Sequence, residues 1–212
     1  MRRPPPPDTL WVRYAGRAKL AVGEVINRAY DVTKEWASIG PGTRRADRFG
    51  AFGERSVICF PPTTIMNEHY IRIGDDTVIG PHVALSAGMA PGQTCITDPV
   101  VSIGDRCLIG RGSGIVGHLS IEIGDDVFTG HYVYITDQNH GYADRNVPVS
   151  LQTMPERPVS IGRGSWIGHG SVVLPGTQIG RNVVIGANSV VRGTIPDYSV
   201  AAGVPAKVIK RY

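Results

Sequence analysis

Recurring aliphatic residues six positions apart decide what this chain can fold into. From Ile161 the sequence reads IGRGSW, IGHGSV, VLPGTQ, IGRNVV, IGANSV and VRGTIP, which places Ile161, Ile167, Val173, Ile179, Ile185 and Val191 at first positions. Gly162, Gly168, Gly180 and Gly186 stand at second positions. The pattern also opens at Ile73, Ile103 and Ile123, giving five blocks of three hexads. An α-helix would need apolar residues at i, i+3, i+4 and i+7, whereas a period of six suits a short strand followed by a sharp corner. Three such units close a triangular coil of eighteen residues, and coils stack at the strand spacing of ~4.8 Å. First-position aliphatics then point inward. Glycine at the second position and small or β-branched residues at the fifth (Ser165, Ser171, Thr177, Val183, Ser189) leave room for the corners. Glycine reaches 27 of 212 residues for this reason, well above its usual share of ~7%. The chain reads as an all-β solenoid, a parallel β-helix of hexapeptide repeats.

Breaks in the period mark where the solenoid departs from regularity. Pro91 and Thr97 occupy positions that should be apolar, so residues 86–102 read as either a loose coil or a loop. Ile121 and Glu122 are two residues in excess and predict a small bulge. Between Ile135 and Ile161 one coil carries an excursion, assigned to 141–158, within the polar stretch GYADRNVPVSLQTMPERP. Long loops on a regular scaffold are where function tends to sit. The ends lack the repeat. Residues 10–37 have helix-forming composition with apolar spacings at Leu10, Tyr14, Leu20, Val25, Ile26, Ala29 and Tyr30. An open solenoid end must be covered, so 10–64 is expected to be a helical cap and connector, preceded by a flexible proline-rich segment 1–9. The β-helix itself is expected over 65–200. The tail 201–212, containing VPAKVIKRY, is expected to end in a short C-terminal helix.

Composition removes several functional classes. No stretch approaches the ~18 to 20 apolar residues of a membrane span, and the start MRRPPPPDTL has prolines where a signal peptide would have its apolar core. Cys59, Cys95 and Cys107 form neither an even set nor a CxxC pair, so no disulfide framework or zinc site is signalled and a cytoplasmic location is expected. The net charge of +4 comes without a basic stretch interleaved with aromatics, which argues against nucleic-acid binding.

Among six histidines, His140 stands apart by context. It takes the sixth position of ITDQNH, a corner where side chains leave the coil, immediately before the excursion. Counting one coil on, Trp166 is expected to stack at the same corner. The run from His140 through RPVSIGRGSWIGHGSVVLPGTQ to IGANSVVRGTIPDYSVAAGVPAKVIK resembles the hexapeptide-repeat acyltransferases, and most of all the sugar, galactoside, maltose and antibiotic O-acetyltransferases. That resemblance implies a left-handed β-helix, a homotrimer with active sites between adjacent solenoids, and acetyl-CoA or another acyl-CoA as cosubstrate with no metal. It implies that His140 is the general base taking a proton from an acceptor hydroxyl, on a carbohydrate or related small molecule, in a direct transfer within a ternary complex. It further implies coenzyme contacts from Trp166, Gly168, His169, Ala187, Arg192, Lys207 and Lys210. Asp137, Asn139, His118 and Tyr142 are the candidates on the acceptor side. The pattern departs from the galactoside enzymes two coils before the base, where Gly110, Arg111 and Gly112 replace an expected asparagine. Alternatives are a nucleotide-sugar N-acyltransferase and a non-catalytic binding solenoid. A zinc carbonic anhydrase on the same solenoid would use His131, but Thr136 stands where its second histidine belongs.

Overall fold

The computed structural model describes residues 10–212, with side chains from Gly16 onward. The segment 1–9, expected to be flexible, lies outside the described residues. Two compact units divide at Ala37 and Ser38. In the first, α1 (Leu10–Ala37) is one helix of 28 residues, over the span whose apolar spacing called for it. A lysine near its end, Lys34, pairs with Asp31 at 2.8 Å. Leu20, Val25 and Trp36 on α1 are exposed.

The unit Ser38–Tyr212 is a left-handed parallel β-helix with three sheets as the faces of a prism. The first sheet stacks Ala51–Phe52, Ile71–Ile73, Val101–Ile103, Ile121–Ile123, Val159–Ile161, Gln178–Ile179 and Thr194–Ile195. The second stacks Val57–Ile58, Val78–Ile79, Leu108–Ile109, Phe128–Thr129, Trp166–Ile167, Val184–Ile185 and Ser199–Gly203, and ends on Ala206–Arg211. The third stacks Ile65–Met66, Ala84–Ala87, Gly114–Gly117, Tyr134–Thr136, Val172–Val173 and Val190–Val191. Coiling therefore starts at Ala51, earlier than the expected 65, because Phe52, Ile58 and Ile65 stand in register with Ile73, Ile79 and Leu85. In this first coil the opening hexad FGERSV keeps the signature, with Gly53 at the second position and buried Ser56 at the fifth, and the two that follow lose it.

The core is the set of inward ladders. On the first face Ile73, Ile103, Ile123, Ile161, Ile179 and Ile195 are register partners coil by coil, and all are buried. Fifth-position residues are buried as well and serve as polar mortar: Ser165 Oγ donates to the Gly180 carbonyl at 2.9 Å and accepts the Val183 N–H at 3.0 Å. Gly168 shows why the second position admits no side chain. A Cβ there would lie 2.5 Å from the Ala187 nitrogen in the next coil.

The three edges differ in character. The edge from first to second sheet carries exposed ion pairs between successive coils, Arg55 with Asp76 at 2.6 Å, Arg106 with Asp126 at 2.7 Å and Arg181 with Asp197 at 2.8 Å. The edge from second to third sheet carries His131, Tyr132 and His169, whose rings meet edge-on. The edge from third back to first carries all of the irregular chain after the first coil. Residues 88–100 form a loop, which settles the ambiguity over 86–102, since Ala84–Ala87 and Val101–Ile103 are paired strands. No bulge forms at Ile121 and Glu122. Both pair in continuous register with Val101 and Ser102 on one side and Val159 and Ser160 on the other, and the two extra residues lie in the corner 118–120. The excursion leaves after Thr136 and returns at Val159, with a short 3-10 turn at Val149–Leu151.

The C-terminal tail is not a helix. Ala206–Arg211 is a strand folded back antiparallel on Ser199–Gly203. A final coil presents a row of unpaired backbone groups, and the Val208–Ile209 pair has stronger β than α preference, so pairing with that edge wins. No described helix is long and apolar enough to cross a membrane.

Candidate active site

Two corners and a loop build the site on the edge from third to first sheet. The chain leaves the coil at Thr136, and Asn139 Oδ1 accepts the His140 N–H at 2.9 Å, turning the imidazole outward. On the returning side Glu156 bridges Gln138, and Arg157 donates its N–H to the Asp137 carbonyl at 2.7 Å. The excursion is thus pinched at its neck, with His140 on the rim. In the next two coils the same edge is formed by Leu174, Pro175 and Gly176, then by Arg192 and Gly193. Together these surfaces enclose an open cleft of about 640 Å³, lined by His140, Tyr142, Arg157, Pro175 and Arg192 among others. A neighbouring hollow of about 230 Å³ lies on the other side of His140, walled by Tyr134, Gln138 and Asn139. The His140 ring has no hydrogen-bond partner among the described residues.

Of the residues expected here, the structure brings together His140, Asn139, Tyr142 and Arg192. Asp137 does not face an acceptor. It is 0% exposed, and its carboxylate accepts the N–H groups of His118, Leu119 and Ser120 at 2.7 to 3.0 Å. His118 is also turned away from the cleft: its side chain is 7% exposed, with Nδ1 3.9 Å from Glu156 Oε1. Trp166 does not stack with His140. It lies on the second face between Phe128 and Val184, because the hexad after the excursion restarts on the first sheet and carries its sixth position to the second.

The expected coenzyme residues separate into groups. His169 and Ala187 occupy the edge from second to third sheet, one coil apart, and the His169 carbonyl accepts the Asn188 N–H at 2.7 Å. Gly168 beside them is buried, serving close approach of the coils. The third face joins this edge to the His140 edge, with Tyr134, Val172 and Val190 in register on its outside. Lys207 and Lys210 are exposed on the second-face hairpin, beside Ala202 and Val200. Arg157 and Pro175 were missed as site residues. Their signals were present in the runs RPVSIG and VLPG, directly before and within the corners that close the cleft.

Burial pushes the Cys59, Cys95 and Cys107 thiols up, the Glu156 carboxylate adding to the effect at Cys95. Among the described residues no three His, Cys, Asp or Glu side chains converge as metal ligands.

Residues 158–193 match the bacterial transferase hexapeptide family (six repeats), and 100–136 match the hexapeptide repeat of succinyl-transferase. A protein of Escherichia coli named "Putative lipopolysaccharide biosynthesis O-acetyl transferase WbbJ" is 37% identical over 158 residues, 71% of this chain and 76% of that one. A probable acetyltransferase of Mycobacterium tuberculosis is 40% identical over 141 residues, which are 66% of this chain and 42% of the longer relative. Among solved structures, the N-acyltransferase AntD from Bacillus cereus, a mutant in complex with dTDP and coenzyme A, shares the fold with a TM-score of 0.69 at 20% identity. That match covers 82% of this chain and 90% of AntD. Stacked hexad coils, the matched repeat families and the coverage of the Escherichia coli relative converge: this chain belongs to the hexapeptide-repeat acyltransferase family.

Proposed function

We propose that this protein transfers an acyl group, acetyl, from acyl-coenzyme A to a hydroxyl of a carbohydrate or related small molecule, with His140 as general base. The observation that carries the reading is the His140 imidazole, standing without a hydrogen-bond partner among the described residues on the rim of a cleft that Arg157 and Arg192 also line. A hydroxyl is a poor nucleophile until its proton has somewhere to go. His140 accepts that proton as the acceptor oxygen bonds to the thioester carbonyl carbon. The carbon–sulfur bond then breaks, and the imidazolium returns the proton to the departing thiolate. Positioned proton transfer of this kind contributes ~10² to 10⁴ in rate, and holding both substrates in one cleft supplies the orientation.

The third face is the natural track for an extended pantetheine arm, running from the His169 and Ala187 edge across Val172 and Val190 toward the cleft. Arg157 and Arg192 offer charge to acidic groups of the cosubstrate, and Lys207 and Lys210 do so from the second face. Trp166 reaches a cosubstrate only as a wall supplied to a neighbouring copy, which fits the homotrimer the resemblance implies. A cytoplasmic location is part of the same reading, since acyl-coenzyme A is the donor. Nucleotide-sugar N-acyl transfer would use the same imidazole on an amine, and an acceptor screen separates the two.

The test is thiol release from acetyl-coenzyme A with a panel of hydroxyl and amine acceptors. His140→Ala is expected to lower turnover about 10² to 10⁴-fold while coenzyme affinity measured by calorimetry changes little. Undiminished turnover would overturn the assignment.

A further inference from the structure

We propose that the first two coils hold a second carbohydrate subsite, and that the acceptor is an extended saccharide reaching from there to His140. This deepens the acyl-transfer reading and rests on it for the chemistry at His140. A cavity of about 350 Å³ opens on the third-to-first edge, lined by Arg48, Ile65, Met66, Glu68, His69 and Pro91 among others. Glu68 is its unusual member. Its side chain is only 6% exposed, yet its one side-chain partner among the described residues is Arg48, at 3.4 Å, whose side chain is 65% exposed.

A buried carboxylate ordinarily gathers several donors, because each unmet lone pair costs desolvation energy. Asp137, equally buried, gathers three backbone N–H groups. Glu68 has a single long contact, from Arg48, and lines the cavity, where further donors can reach it. A ligand rich in hydroxyl donors supplies them, while the Arg48 fork donates to ligand oxygens and Ile65, Met66 and Pro91 offer an apolar wall to the CH face of a sugar ring. The carboxylate repels anions, so the ligand is a neutral or amino saccharide and not a phosphate.

The cavity is preformed. Asn67 Nδ2 donates to the carbonyls of Ala87 at 2.6 Å and Ala90 at 2.9 Å, and its Oδ1 accepts the Gly92 N–H at 2.7 Å, fixing the loop that makes one wall. That loop also reaches the catalytic side: Met89 Sδ lies 3.9 Å from Gln138 Nε2, and Gln138 lines the hollow beside His140. Both cavities open on the same edge, three coils apart, roughly 14 Å at ~4.8 Å per coil. A single sugar cannot touch both, and a chain of several can.

The experiment is calorimetric titration of the full chain carrying His140→Ala, which prevents turnover. The probes are linear gluco-, galacto- and amino-sugar oligomers of increasing length. Affinity is expected to rise about tenfold or more between the single sugar and the longer oligomers in at least one series. Glu68→Gln is expected to remove that gain, and so is Arg48→Ala, a change at an exposed side chain that keeps the test valid should the first variant fold poorly. Affinity independent of length in every series, or a gain untouched by either substitution, would overturn the subsite. Length-independent binding alongside His140-dependent thiol release sinks the subsite alone. Length-dependent binding with thiol release indifferent to His140 sinks the reaction assignment and leaves the subsite standing.

Discussion

Asp137 and His140 lie three residues apart and illustrate how differently single residues are read. The position of His140 was legible because the six-residue period alone supplies the exposed corner on which it stands. The role of Asp137 depends on a corner 17 to 19 residues earlier, whose three N–H groups it collects, and no local pattern announces that pairing. The carboxylate ties the neck of the excursion to the preceding coil. Asp137→Ala leaves three donors unsatisfied, at ~1 to 3 kcal/mol for a buried group, and is expected to lower stability by about 3 kcal/mol and to expose the excursion to protease. Asp137→Asn keeps an acceptor oxygen and is expected to cost less. Equal melting temperatures for Asp137→Ala and the unsubstituted chain would show that the neck is held elsewhere. Trp166 shows the opposite failure, a residue placed on the wrong corner because coils were counted through an excursion whose return strand was unknown.

Elements were read best where three hexads run without interruption. The strands from Ile161 to Val191 follow from the period alone, since each first-position aliphatic has one inward slot and each second-position glycine one tight contact. The coil at 51–66 escaped because Phe52, Ile58 and Ile65 are spaced six and then seven apart, with Cys59 and Met66 at second positions where the pattern has glycine. The tail escaped because helix preference and strand pairing compete there, and only the exposed last edge decides between them. The corner ion pairs add a pH dependence to the stacked strands. Asp76 and Asp126 are held below the ordinary 3.8 by hydrogen bonds from Arg55 and Arg106, and Asp197 by the Arg181 backbone N–H and then its guanidinium. A depressed folded-state pKa stabilises above the unfolded value and is lost as pH falls through the folded one. Thermal melting is therefore expected to be flat from pH 7 to about 5 with respect to these pairs and to fall below pH 4. Exposure to solvent keeps each contribution small, and Arg106→Ala should flatten the acid slope. An unchanged slope would assign acid sensitivity to other groups.

At the scale of the molecule, the inward ladders of the unit Ser38–Tyr212 form one continuous core running from Ile39 to Ala201. A chain beginning at Ser38 is expected to lose the helical part of the circular-dichroism signal that α1 supplies, to keep the β part and to melt cooperatively, whereas loss of the β signal and of the cooperative melt would tie the solenoid's stability to the segment before it. The division of labour among edges follows from the same architecture. From the second coil onward, the steps from first to second to third sheet stay at six residues, and every added residue enters between the third sheet and the first. Register is therefore insulated from length, although a slip of one residue would turn a strand inside out. Loops on that single seam can be lengthened, shortened or exchanged as cassettes without disturbing the ladders, so a descendant of this chain can change its clientele while inheriting its backbone intact.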